Sequence, residues 1–210
     1  MNNVFQLDHP LVEHHLVRLR DKNTTPEAFR GLIHRLSIHL TYDATRDLEL
    51  METEVETPMA KTTGRKLKGR IGLIPILRAG LGMVDPILDL IPSAEVWHLG
   101  FYRDEKTFQP VEYYKKLPKA DPVDMALVID PMLATGGSAL AALHAVKDWG
   151  VSTTKLLAVI ASPEGVEAVH TAFPDTEIHV CVIDDSLDEN AYILPGLGDA
   201  GDRIFNASAE

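Results

Sequence analysis

Apolar residues fall into two rhythms along this chain. Residues 10–21 and 26–40 carry them at helical spacing, with Phe29, Leu32, Ile33, Leu36 and Leu40 on one face of the second stretch. Thr25 stands where it caps that helix and Pro26 where it opens it. Lying ahead of the first clear sheet strand, these two helices are expected to form a lid or a subunit contact. From residue 70 the rhythm changes. Short apolar runs at 71–77, 95–102, 126–129, 154–161 and 176–183 alternate with helical stretches ending at Leu90, running through Leu140, Leu143 and Val146, and spanning 163–173. That alternation predicts one α/β domain with a largely parallel sheet and helices on both faces. Pro75 is expected to weaken its strand locally or to end it. Residues 49–57 alternate as a strand, and the polar, basic 62–69 reads as a hairpin or loop. The charged segment 103–122 is too long for a tight turn. It carries a short hairpin pattern at 111–115, and a loop of this length in a compact α/β domain is commonly an active-site flap.

The chemistry concentrates where the run 126–129 ends on Asp130 and leads into Pro131, Met132, Leu133, Ala134 and then Thr135-Gly136-Gly137-Ser138. Four apolar residues read as a fully buried parallel strand, and open α/β sheets bind ligands beyond the carboxyl ends of such strands. A glycine-bearing loop that opens a helix there offers unpaired N–H groups to a phosphate, and Thr135 and Ser138 add hydroxyls. Asp130 does not suit a phosphate alone. A ribose is the economical solution, its two hydroxyls donating to the carboxylate while its 5′-phosphate lies in the loop. Arg78, beside glycines at the end of 71–77, is placed to fork onto a phosphate or pyrophosphate, and Arg103 closes a second strand in the same way.

Composition narrows the partners. The formal net charge is −11 over 210 residues, which argues against a nucleic-acid or anionic-membrane footprint. An anionic substrate must therefore meet local arginines, backbone amides or a divalent cation. The one cysteine, Cys181, lies in an apolar run and reads as a small buried hydrophobe, fitting a reducing compartment. With no signal peptide and no membrane-length apolar run, a cytoplasmic location is the default expectation. The nine histidines are scattered and make no convincing metal set.

Near the end, Gly196-Leu-Gly-Asp-Ala-Gly201 matches GxGxxG literally, but nine residues remain where a dinucleotide fold needs a crossover helix and a later acid. The small residues there leave main-chain N–H and C=O groups free for edge-on reading of a flat heterocycle such as a 2,4-dioxopyrimidine. Asp199 and Asp202 stand beside it, able to address a metal or a substrate proton.

Taken with these stretches, the chain resembles the uracil phosphoribosyltransferases, a branch of the type I phosphoribosyltransferases. The resemblance rests on PILRAGLGM at 75–83, YRDE at 102–105, MALVIDPMLATGGS at 125–138, SPEG at 162–165 and YILPGLGDAGDRIF at 192–205. Relative to the general motif, Pro131 and Ala134 replace acids, as in the uracil branch. Asn190-Ala191 stands where His-Gly is frequent, and Asp185-Ser186 also departs from common forms. The resemblance implies a mostly parallel central sheet flanked by helices, with an N-terminal helical arm (about 1–48), a core (about 49–183) and a small base-binding hood (about 184–210). It implies that uracil and 5-phosphoribosyl 1-pyrophosphate give UMP and pyrophosphate in a Mg²⁺-dependent salvage step. Arg78, Arg103, Asp130 to Ser138 and Asp199 would bind phosphoribosyl pyrophosphate, with Asp130, Arg78 and Arg103 carrying catalysis and the metal held mainly by substrate. Ile193, Gly198, Asp199 and Ala200 would bind uracil. Substrate pyrophosphate, Asp199 and water all stay open as acceptors of the N1 proton. A homodimer or larger homo-oligomer is implied, and activation by GTP is permitted. A transferase for another base and an RNA-binding regulator on the same fold are rivals, beside a generic nucleotide-binding Rossmann protein, which the missing second half of the dinucleotide fingerprint argues against. The GLGDAG tail argues against the first and the net charge against the second.

Overall fold

The computed structural model describes residues 3–103, 110–118 and 120–207, without the side chains of residues 102, 103, 110 and 115. In chain order the elements are β1 (Val4–Gln6), α1 (Pro10–Arg20), α2 (Pro26–Ala44), β2 (Leu50–Glu56), β3 (Lys61–Leu67) and β4 (Ile71–Leu77). A 3₁₀ turn (Ala79–Met83) leads into α3 (Val84–Leu90), followed by β5 (Glu95–Val96), β6 (Leu99–Arg103), β7 (Pro110–Lys115), β8 (Met125–Ile129) and β9 (Met132–Leu133). The chain ends with α4 (Gly137–Trp149), β10 (Thr153–Ala161), α5 (Pro163–Ala172), β11 (Glu177–Ile183), β12 (Ser186–Leu187), β13 (Ile193–Leu194) and α6 (Ala200–Phe205).

The main sheet runs β1-β11-β10-β8-β4-β6-β7, with β5 beside β4 and β9 beside β10. Every pairing is parallel except β6 with β7 at one edge. Alternate residues of the central strands enter two separate cores, as the pleat requires, except where Val159 and Ile160 of β10 both join the first. Leu73, Leu127, Ile129, Leu157 and Val159 face α1, α2, α3 and α6. Ile74, Val128, Leu156 and Ala158 face α4 and α5. Both faces are covered, which is why these strands read as unbroken apolar runs.

Three findings depart from the sequence reading. Helix α2 extends to Ala44 and is not a lid: Phe29, Leu32, Ile33, Leu36 and Leu40 are fully buried in the first core. The N-terminal Val4–Gln6 supplies an edge strand parallel to β11. Pro75 sits inside β4, in register with Ile129 on β8, while on the other side the ladder passes from β5 at Leu73 to β6 at Ile76. A residue without an N–H is tolerated in mid-sheet because it falls in that gap between two partners. The segment 111–115 does pair back, as β7 on β6, whereas residues 104–109 of the expected flap lie outside the described residues. Strands β2 and β3 form a two-stranded hairpin of their own. Among the described residues no helix is long and apolar enough to cross a membrane.

Candidate active site

Strand β8 ends at Ile129, in the middle of the sheet, and the next eight residues build a cradle. Pro131 offers its carbonyl to both Val159 and Ile160 of β10, so the chain bulges, re-pairs as β9, and then turns into α4. Gly136 makes that turn with φ +83°, a left-handed conformation open to glycine at little cost. The SPEG motif props the loop from behind. Ser162 donates its N–H to Leu133 and its hydroxyl to Ala134, while Gly165 N–H caps onto Ser162 Oγ at 2.9 Å. A Cβ on Gly165 would stand 2.2 Å from the Ala134 carbonyl oxygen, so only glycine lets α5 approach this closely.

Held in this way, the N–H groups of Thr135, Gly136, Gly137 and Ser138 find no acceptor among the described residues. Thr135, Gly136 and Ser138 line a small cavity of about 130 Å³ together with Asp130, Met132, Leu133 and Ala134. Four open donors and the positive end of a 13-residue helix make an anion site.

Asp130 lies deep within the mass of the protein although part of its surface stays reachable from the cavity. Burial pushes its carboxyl up to about 7; the Met132 N–H, donating at 3.3 Å, pulls it down, and the neighbouring Asp199 charge pushes it up further. A carboxylate kept uncomfortable by burial and a like charge is one that donors or a cation would relieve.

Asp199 reaches this point from the far end of the chain. It caps α6, accepting from the Asp202 N–H at 2.8 Å. The N–H groups of Gly198, Asp199 and Ala200 meet no acceptor among the described residues, as reading of a base edge by the main chain requires. Ile193 lies on β13, five residues before, and is buried. Arg78 follows β4 across a cis peptide bond and donates to Asp202 Oδ1 at 2.8 Å. Asp130, the loop 131–138, Arg78, Asp199 and the loop before α6 are therefore brought together. Arg103 ends β6, paired through its backbone with Pro110; its side chain lies outside the described residues.

Sequence reasoning missed what holds the loop 195–198 in place. Asp184, buried at the end of β11, accepts from Arg20 of α1 and from the Gly196 N–H, while Arg20 also donates to the Gly196 carbonyl. Arg203 donates to the carbonyls of Leu19, Asp21 and Leu197 and lies over the Phe29 ring at 4.3 Å. Arg20 with Asp184 and Gly196, and Arg203 with Leu19 and Asp21, are pairs more than 160 positions apart, which leave no local signature. The GxGxxG look-alike leads into the six-residue α6 and into no sheet strand. Cys181 is buried, and burial pushes its thiol up, away from nucleophilic use.

A mostly parallel sheet with an acid and an open glycine loop beyond its central strand defines a type I phosphoribosyltransferase fold. The adenine phosphoribosyltransferase of Leishmania donovani shares that fold at a TM-score of 0.60 and 14% identity, over 99% of this chain and 98% of its own. The AQ2163 protein of Aquifex aeolicus superposes with a TM-score of 0.93 and 36% identity, covering 99% of this chain and 100% of that one. The family model described as uracil phosphoribosyltransferase matches residues 6–207. A uracil phosphoribosyltransferase from Roseiflexus castenholzii is 58% identical, and one from Listeria monocytogenes 52%, each over 98% of this chain and 99% of its own length. The chain belongs to the uracil phosphoribosyltransferase family.

Proposed function

We propose that this site performs the family's reaction with the residues gathered around Asp130, and the observation that carries the reading is the ring of open N–H groups beside that buried acid. Uracil and 5-phosphoribosyl 1-pyrophosphate give UMP and pyrophosphate, a pentosyl transfer that serves pyrimidine salvage. The loop 131–138 holds the 5′-phosphate, and Asp130 accepts from the ribose hydroxyls. Arg78 and Arg103 take the pyrophosphate. Ile193, Gly198, Asp199 and Ala200 read uracil along the main chain, with Asp199 also facing the sugar phosphate.

Displacement at C1′ builds positive charge on the sugar while negative charge grows on the leaving pyrophosphate. Fixing the ribose at Asp130 and the base at 198–200 brings N1 and C1′ into line, which removes much of the entropic barrier. The arginines stabilise the charge that develops as the bond breaks. Among the described residues no group of three or more His, Cys, Asp or Glu could hold a metal on its own. Asp130 and Asp199, two neighbouring acids beside a phosphate cradle, nevertheless suit Mg²⁺, which typically takes one or two carboxylates together with substrate phosphates. When bound with substrate, the ion would neutralise part of the pyrophosphate charge.

The same reading includes a homo-oligomer. The β2–β3 hairpin exposes Leu50, Met51, Val55, Met59 and Leu67, and an isolated two-stranded hairpin with so much apolar surface calls for a cover. Light scattering after gel filtration tests it. The reading also includes a cytoplasmic enzyme, supported by its single buried thiol, and GTP activation, carried by the family resemblance and tested by initial rates at low phosphoribosyl pyrophosphate. The reaction itself is tested by incubating the protein with uracil, phosphoribosyl pyrophosphate and Mg²⁺ and separating the products. UMP should form, and its absence would overturn the reading.

A further inference from the structure

The contact between Arg78 and Asp202 is not required by either half of the site as described. Arg78 Nη2 donates to Asp202 Oδ1 at 2.8 Å across 124 positions of sequence. With the Arg78 side chain 54% exposed and that of Asp202 31%, such a pair adds little to stability. Its surroundings are nonetheless built for it. The guanidinium lies against Gly201, where a Cβ would sit 3.4 Å from Arg78 Nη2 and 3.2 Å from Asp199 Oδ1. Four residues beyond Arg78, a Cβ on Gly82 would stand 3.0 Å from Ile204 Cδ1 of the same helix. Two glycines thus seat the turn bearing Arg78 directly on α6. The Asp202 N–H donates to Asp199, which ties the pair to the loop 198–200.

We propose that Asp202 is a positioning residue that couples the two substrate subsites, so that pyrophosphate on Arg78 and pyrimidine on the loop 198–200 each strengthen the other. The inference rests on the assignments of Arg78 and of that loop made above. A guanidinium has five N–H donors, and the bond to Asp202 takes one, leaving the others with no protein partner among the described residues. Arg78 can therefore hold a phosphate without leaving Asp202. A ligand that fixes Arg78 then fixes Asp202, the first turn of α6 and the loop before it. Ordering done by the first ligand is ordering the second need not do, and that is a coupling free energy shared equally by both.

The test uses uracil and Mg²⁺-pyrophosphate, which do not react with each other, titrated singly and together by calorimetry. For the unaltered protein, saturating pyrophosphate should tighten uracil about tenfold, within the usual range of such couplings. In Asp202→Ala the tightening should fall below about twofold while each ligand alone changes by less than about threefold. Asp202→Asn, whose amide oxygen still accepts from Nη2, should recover part of it. Undiminished coupling in Asp202→Ala would overturn the proposal, as would no coupling in the unaltered protein. Equal weakening of both ligands with a lower melting temperature would mark Asp202 as a structural residue only, and tighter pyrophosphate alone as a blocking group; either overturns it. Arg78→Ala, titrated in parallel, separates the two layers: unchanged pyrophosphate affinity there removes the assignment of Arg78 itself.

Discussion

Arg20 and Asp184 meet beneath the loop that leads to the proposed base-binding residues, Nη1 to Oδ2 at 2.8 Å, and both also bond to Gly196. Asp184 is 5% exposed. Breaking a buried pair by removing one partner typically costs about 3–5 kcal/mol, because the other charge is left uncompensated. Asp184→Ala should therefore melt well below the unaltered protein, and its KM for uracil should rise about tenfold or more, with less change for phosphoribosyl pyrophosphate. The double variant Arg20→Met, Asp184→Leu should recover much of the stability but not the uracil KM, since Gly196 still lacks its partners. Recovery of both would contradict the role given to the pair.

Asp130 sets function against stability. Its folded carboxyl titrates at about 7, above the unfolded 3.8, so between these values the folded chain holds a proton that the unfolded chain has released. Stability falls as pH rises through that window and stays low above it. Asp130→Asn should thus stabilise the unliganded protein by roughly 1–3 kcal/mol at pH 8, a gain that fades toward about pH 4. Turnover should fall by about 100-fold or more because the amide cannot take both ribose hydroxyls. Melts at several pH values together with turnover check both halves. A pH-independent gain, or near-normal turnover, would contradict the assignment.

Gly165→Ala places a Cβ against the Ala134 carbonyl, 2.2 Å away before relaxation. Overpacking of this kind costs about 1–3 kcal/mol. The strain is relieved by moving the loop 131–138, the proposed phosphate cradle, so the KM for phosphoribosyl pyrophosphate should rise more than that for uracil. Steady-state kinetics with each substrate varied in turn decides it, and a selective effect on uracil would be the contrary result.

Ala191 has φ +59°, in the left-handed region, at a position where glycine is frequent in the resembling family. A side chain there costs roughly 1–2 kcal/mol, of which the greater freedom of unfolded glycine takes back about half. Ala191→Gly should raise the melting temperature by about 2 °C without changing turnover. A lower melting temperature would contradict this account of the turn.

What was legible in the sequence was what is local. The strand before Asp130, the glycine turn after it and Arg78 beside its glycines each carry their chemistry within a dozen residues. The alternation that predicts the parallel sheet is local in the same sense. What was not legible depends on distance along the chain. Arg20 and Asp184 are 164 positions apart, Arg203 and Leu19 184 apart, and β1 is too short to show a period of its own. Gly165 could be read as part of a motif, but its purpose appears only once α5 lies against the carbonyl of Ala134. Helix α2 shows its amphipathic face in the sequence, but such a face does not say which surface it covers, and here it covers the first core.

The central claim is that one cradle at 131–138, with Asp130, holds a phosphorylated ribose while the main chain at 193–200 holds the base. A crystal structure of the protein with UMP tests it most directly. The phosphate should lie on the amides of Thr135 to Ser138, the ribose hydroxyls on Asp130, and the pyrimidine edge on the backbone of Gly198 to Ala200. A phosphate bound elsewhere, or a pyrimidine held by side chains away from residues 193–200, would contradict it.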